Sequence, residues 1–340
     1  MGQNPETDSS PLLPFDHIQR PLKFPLGLVS KPIRPYLELI RFEKVESMNV
    51  IRVDNNTIFQ PTGTILMFWP FAWALTMSAH RTHLPLARYG VEIIKCFIGA
   101  FLLRSSACTV NDIFDRKVDA AVERTRNRPL ASGRISVFAA TIYLFAQYVL
   151  GVIFFVLTIK GLALNVALFQ LLPLFGIYPL LKRTTHWPQA WLGFAMNFGF
   201  ITAWVSTTGH FDVRVLAAAM TGCWCWTMLY DTVYACQDIR DDIKTGVRST
   251  AILFGPWIRP LLVACGVVFV AAMGLAGYFN GQGPFYFVLS IGGAMAHLVW
   301  QYLTVDLDVP QSCWDNFNRN GKLGWIIWAG LMGDYLYPIV

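Results

Sequence analysis

The sequence predicts an all-α, multi-pass membrane protein with nine spanning helices. Three observations carry that expectation. Hydrophobic residues make up 54% of the 340 and charged residues only 14%. Soluble domains average about 45–50% and about 25%, so charge is reduced as a bilayer solvent demands. Apolar stretches recur at the roughly 20-residue length needed to cross the hydrocarbon core. The basic loop residues are distributed to one side.

The nine stretches are 62–80, 87–109, 136–157, 162–181, 188–207, 213–235, 256–279, 284–304 and 323–340. With nine crossings, the N-terminal side shares a face with loops 2–3, 4–5, 6–7 and 8–9. Those loops hold Arg116, Lys117, Arg124, Arg126, Arg128, Arg134, Lys182, Arg183, Arg240, Lys244, Arg248, Arg259, Arg319 and Lys322. The opposite loops hold only Arg81, Arg88, Lys160 and Arg214. Lys and Arg prefer the cytoplasmic side of short loops, so the asymmetry supports both the count and the orientation. It also accounts for the net charge of +6 without a nucleic-acid partner, and no obligate protein partner is evident.

Residues 1–40 are rich in proline and polar groups and read as a disordered or surface-lying tail. They lack the basic and apolar regions of a signal peptide. Glu6, Asp8 and Asp16 argue against a mitochondrial transit peptide. Endomembrane, the endoplasmic reticulum first, is the expected location, with the mitochondrial inner membrane as the alternative. Residues 41–340 form one membrane domain. The seven cysteines have no CxxC pair and no metal spacing, and six read as small core residues.

Two acidic clusters end apolar spans on the same face. The second span runs into Asn111, Asp112, Asp115 and Asp119. The i, i+3, i+7 spacing puts the three carboxylates on one helix face. The sixth span runs into Asp238, Asp241 and Asp242, spaced i, i+3, i+4, again one helix face. A single acidic run at a helix end is ordinarily a solvated cap. Two such runs on one side, each followed by Arg or Lys, call for cations between them. Mg²⁺ is a hard cation that takes one or two carboxylates plus substrate phosphates, so the pair is suited to gripping a diphosphate. Arg104 lies inside the second span and requires a partner. That partner is either Asp112 or another carboxylate, or an anionic substrate.

These residues closely resemble the UbiA family of intramembrane prenyltransferases. The first family motif, NDxxDxxxD, stands as Asn111, Asp112, Asp115 and Asp119 and continues through Arg124, Arg126, Asn127, Arg128 and Pro129. The second stands as Asp231–Ala235 through Asp238, Asp241 and Asp242, then Lys244, Gly246, Ser249, Thr250 and Gly255. Between them, Tyr178-Pro179, Lys182-Arg183 and Trp187-Pro188-Gln189 resemble the family's fourth-to-fifth helix connection. The resemblance covers about 41–335. The 4-hydroxybenzoate polyprenyltransferases and fungal meroterpenoid enzymes look most similar.

The resemblance implies nine helices around a central cavity and Mg²⁺-dependent transfer of a prenyl group from its diphosphate to a phenolic acid. It implies Asp112, Asp115, Asp238 and Asp242 as the catalytic, metal-holding carboxylates, with Asp119 and Asp241 assisting. Asn111, Arg116, Arg128 and Lys182 are candidate diphosphate contacts. Tyr178, Tyr234 and Arg104 are further substrate-binding candidates. Arg41 matches a family arginine that meets the acceptor's carboxylate. The expected donor is farnesyl diphosphate and the expected setting fungal secondary metabolism. A 4-hydroxybenzoate polyprenyltransferase of ubiquinone synthesis is the alternative, and a UbiA-type terpene cyclase would share both motifs. A polytopic transporter would instead carry charges at mid-span.

One departure stands out. The family pattern near the first span reads R-F-x-K-P-x-G. Here sixteen residues, 45–60, separate Lys44 from Pro61; removing them restores Arg41-Phe42-Glu43-Lys44-Pro61-Thr62-Gly63. The insert is in frame and starts with valine, whose codons begin with GT. It ends with glutamine, which CAG encodes. A retained intron is the expectation, with a genuine loop between an interfacial helix and the first span as the rival.

Overall fold

A computed structural model of the chain describes residues 29–41 and 62–337. The suspected insert at 45–60 and most of the N-terminal tail lie outside the described residues. Every regular element among the described residues is helical. They are α1 (Arg34–Leu39), α2 (Thr62–Thr82), α3 (Leu86–Ala121), α4 (Val137–Thr158), α5 (Gly161–Phe169), α6 (Phe175–Thr184), α7 (Pro188–Thr208), α8 (Val213–Ala235), α9 (Ile239–Thr245), α10 (Thr250–Phe254), α11 (Ile258–Asn280), α12 (Gly293–Thr304) and α13 (Pro310–Leu336). By length and composition, four helical stretches are able to cross a membrane: Leu86–Ala121, Val137–Thr158, Gly161–Thr184 and Thr250–Asn280.

The predicted stretches differ from these helices in three instructive places. The second does not stop at 109. It continues to Ala121 as a 36-residue helix, about 54 Å long at 1.5 Å per residue. A hydrocarbon core is only about 30 Å thick, so the last turns, which carry the acidic motif, have length to reach beyond it. The fourth is interrupted at Gln170–Leu174 by a π-helical stretch holding Pro173. Proline lacks the amide hydrogen that a regular α-helix needs there, and a wider turn accommodates the loss. The last begins at Pro310, not 323; its first turns are too polar to show as an apolar run.

Helix α2 runs through the centre. Trp69, Trp73, Trp204 and Trp226 are each almost fully buried. The indole of Trp69 donates to the Gly321 carbonyl (3.0 Å) and that of Trp73 to the Gly324 carbonyl (3.2 Å). A β-carbon on Gly324 would strike the Trp69 ring, so glycine here sets the approach of α13 to α2. Small residues that allow close backbone contact are the usual device for helix packing in lipid. Trp226 donates to Asn320 Oδ1 (2.8 Å), fastening α8 to α13. Of the four membrane-length stretches, α4 is the most outward-facing, with Phe138 and Leu157 more than three-quarters exposed.

Packed structure begins before residue 41. Leu39 of α1 is buried with Leu130, Ile135 and Ala140, and Glu38 pairs with Arg134 (2.6 Å). The seven cysteines are free thiols.

Candidate active site

The polar end of α3 meets four basic side chains brought from separate parts of the chain. Asp112, Asp115 and Asp119 are all buried, as one helix face requires. Arg41, just past α1 and in the left-handed region at φ 58°, forks onto Asp112 with bonds of 2.6 and 2.9 Å. Arg128 donates to both oxygens of Asp119 (2.9 and 2.8 Å) and reaches Asp112 at 3.3 Å. Lys182, at the end of α6, donates to Asp115 Oδ2 (2.9 Å) and Asn111 Oδ1 (3.1 Å). Its ammonium lies 4.9 Å from the Tyr178 ring centre. Arg183 sits further out, bonded to the Phe114 carbonyl (2.7 Å).

The second motif is built differently from its spacing. Helix α8 ends at Ala235 and a 3₁₀ turn, Cys236–Asp238, precedes α9. Asp238 therefore does not continue the face that carries Asp241 and Asp242. It is gripped by Arg124, through Nε to Oδ1 at 2.9 Å and Nη2 to Oδ2, while Arg124 Nη1 donates to the Tyr234 hydroxyl (3.0 Å). Asp241 turns outward to the exposed Lys244 (3.3 Å). Asp242 turns inward and is half-buried, and among the described residues its carboxylate has neither hydrogen bond nor ion pair. It feels Lys182, which holds the first motif, and Arg124, which holds the second. Burial, then the neighbouring Asp238 charge, pushes the Asp242 carboxyl up to about 7.

The connection 122–135 thus joins the two motifs, with Arg128 on the first and Arg124 on the second. Arg124 belongs to the family motif, yet the sequence alone gives it no role. It lies in an irregular connection with no periodicity, and its partner is 114 residues away. The charge balance would have been the clue: Asp238 ends a buried helix and needs a cation. Asp231 of α8 is also buried, within electrostatic reach of Lys182 and Arg104.

Other expected residues lie elsewhere or are differently engaged. Among the described residues no carboxylate pairs with Arg104, and Asp112 is already taken by Arg41 and Arg128. Arg104 instead fills the space beside Gly63, where a β-carbon would lie 2.6 Å from its Nη2. Arg116 donates to the Ile113 carbonyl of its own helix (2.7 Å). Arg41 holds Asp112 where the resemblance implies an acceptor contact.

Among the described residues no three His, Cys, Asp or Glu side chains converge into a closed metal cage. The donor set nonetheless fits Mg²⁺. The groups are hard carboxylate oxygens, one of them unpaired at Asp242, and Mg²⁺ ordinarily completes its shell with water and substrate phosphate.

Residues 67–326 match the model of the UbiA prenyltransferase family. The chain belongs to the UbiA prenyltransferase family. It is an integral membrane enzyme, and the expected class, a transferase of prenyl groups, stands. It is 45% identical over 280 residues to the UbiA prenyltransferase claS of Ampulloclitocybe clavipes, covering 82% of this chain and 88% of that one. It is 36% identical over 280 residues to the mitochondrial 4-hydroxybenzoate polyprenyltransferase of Schizosaccharomyces pombe, covering 81% and 77%. Among solved structures, a UbiA homologue from Aeropyrum pernix superposes with a TM-score of 0.66 at 22% identity, covering 79% of this chain and 97% of that one. One from Archaeoglobus fulgidus, bound to GPP and Mg²⁺, gives 0.59 at 16% identity, covering 89% and 100%. At those identities the UbiA structures speak for the fold.

Proposed function

We propose that this UbiA-family protein moves a prenyl group, farnesyl first among donors, from its diphosphate to a ring carbon of a phenolic acid. The observation that carries the reading is the convergence of two acidic motifs through Arg124, Arg128 and Lys182. The C–O bond of the allylic diphosphate breaks and its electron pair leaves with diphosphate. A C–C bond forms from the phenol ring, which then loses its proton.

Mg²⁺, held by Asp112, Asp115, Asp238 and Asp242 with Asp119 and Asp241 assisting, would neutralise the leaving diphosphate as a Lewis acid. Arg128 and Lys182 are held ready by carboxylates and turn to the phosphate oxygens when substrate arrives; Asn111 and Arg116 are nearby donors. Such prearranged charge stabilises developing negative charge without reorganisation. Arg41, which forks onto Asp112, is the side chain that would meet the acceptor's carboxylate. Tyr178 and Tyr234 keep Lys182 and Arg124 in place, and Arg104 lines the acceptor side.

All nine predicted stretches are proposed to cross the bilayer around a central cavity, with both motifs at the more basic face. Residues 41–340 are the enzyme domain, and 45–60 is a retained intron; reads of the mature transcript that cross it without a gap overturn that point. The A. clavipes relative supports the meroterpenoid reading, in an endomembrane such as the endoplasmic reticulum, and the arginine at 41 supports aromatic prenyl transfer over cyclisation. The S. pombe relative supports 4-hydroxybenzoate polyprenylation in mitochondria as the second reading. Microsomes from yeast expressing the protein, given geranyl, farnesyl and longer polyprenyl diphosphates against a panel of phenolic acids, separate the two. A cyclic terpene formed without acceptor overturns both.

A further inference from the structure

A cavity lies on the side of α8 where α11 and α12 diverge, lined by Leu229 and Val233, whereas the motif carboxylates Asp238, Asp241 and Asp242 are not among its lining. Its volume is about 380 Å³, within the usual range for a small-molecule site. Leu262 and Ala271 of α11 mark its ends, nine residues and about 14 Å apart. That is about half the hydrocarbon thickness. Val267 and Met295 on its rim are more than half exposed, and the site opens sideways toward lipid.

Its inner end is polar but uncharged. Gln301 and Asn316 line it, and none of the lining residues is ionic. Gln301 is satisfied: its Oε1 accepts from Asn320 Nδ2 (3.1 Å) and its Nε2 meets His297 Nδ1 (2.9 Å). Asn316 is not. It is 2% exposed, and its Oδ1 has no donor among the described residues. In a membrane no bulk water reaches such a group, so an unmade bond there is costly. Arg259, the nearby cation, is already stacked 5.7 Å from the Tyr302 ring centre and bonded to the Val305 carbonyl (3.2 Å).

We infer that this cavity is a binding site for a neutral membrane lipid of the sterol class, whose single hydroxyl donates to Asn316 Oδ1. The orphaned atom is an acceptor, so the ligand must bring a donor. The ester region of a phospholipid offers only acceptors at that depth. A phosphate or carboxylate would find no free cation in the lining. Spread over that length, the cavity is broader than one extended alkyl chain and suited to a fused-ring body. The hydroxyl sits near the membrane face, because Gln301 is one turn from the end of α12 at Thr304.

A photoreactive, alkyne-tagged cholesterol in membranes holding the full chain tests this. Label is expected in peptides from α11 and α12, displaced by unlabelled cholesterol but not by equal mole fractions of 1-hexadecanol or phosphatidylcholine. Asn316→Leu is expected to raise the half-saturating mole fraction about fivefold, the loss of one ordinary hydrogen bond. Val267→Trp, a change on the lipid-facing rim, fills the cavity and abolishes the label while elution in detergent stays as wild type. Label spread over the whole lipid surface, or unchanged in Val267→Trp, overturns the site. Equal displacement by 1-hexadecanol overturns the sterol class.

Discussion

Replacing Arg124 by glutamine removes the strut between the loop after α3 and the second aspartate motif. The native side chain makes a two-pronged ion pair with Asp238 and a third bond to Tyr234. The side chains of the pair are only 17% and 16% exposed, so Asp238 would lose its fixed, mostly buried counter-charge and the fork that orients it. Breaking a fully buried pair costs about 3–5 kcal/mol; the residual exposure argues for the lower end, about 3 kcal/mol. If that cost falls on the catalytic arrangement, prenyl transfer drops about 150-fold, since 1.4 kcal/mol is about tenfold. Lysine restores the charge but not the fork, so Arg124→Lys should recover part of the loss, to about tenfold below wild type. The assay is initial-rate transfer from farnesyl diphosphate in microsomes at saturating Mg²⁺, normalised to membrane-inserted protein. Arg124→Gln within threefold of wild type would refute the strut, as would equal rates for the glutamine and lysine variants.

Other outcomes follow from the same geometry. With the Asp242 carboxyl raised to about 7, the ligand-free folded protein holds a proton there that the unfolded chain releases near the ordinary carboxylate value. Its contribution to stability therefore declines as pH rises through that interval, and metal binding must displace the proton. The half-saturating Mg²⁺ concentration should fall about tenfold per pH unit below 7 and level off above it; Asp242→Asn should flatten that profile. Asp112→Ala should abolish turnover and also lower the detergent melting temperature, because it removes the carboxylate that Arg41 forks onto and one of the two that Arg128 meets; insertion assayed by glycosylation mapping should be unchanged. Gly324→Ala should cost about 1–3 kcal/mol through overpacking against Trp69, read as a lower aggregation temperature with little change in donor KM. Arg116→Ala, whose bond is to its own helix, should reduce transfer less than Arg128→Ala; the reverse order counts against the roles given to both.

The helical class and the first acidic face were legible because both rest on periodicity. Apolar runs of bilayer length and an i, i+3, i+7 row of aspartates need only local geometry. What failed to show was non-local. The turn at Cys236–Asp238 leaves no composition signal, so the second motif read as one helix face when its three carboxylates point differently. Arg124 and Arg128 sit in a loop whose value lies in joining partners far apart in sequence. The polar first turns of α13 disguised a helix that an apolar window could not detect. Arg41 was found by resemblance, yet its hold on Asp112 depends on where α1 docks, which no local pattern encodes.

The most direct test of a shared, metal-assisted diphosphate site is one experiment on washed membranes. Transfer from farnesyl diphosphate is measured with and without a phenolic acid, with Mg²⁺ or with EDTA, for wild type, Asp112→Asn and Asp238→Asn. The account predicts a prenylated phenol only when donor, acceptor and Mg²⁺ are all present, and loss of that product in either variant. Product formed in EDTA, or by either variant at the wild-type rate, would contradict it.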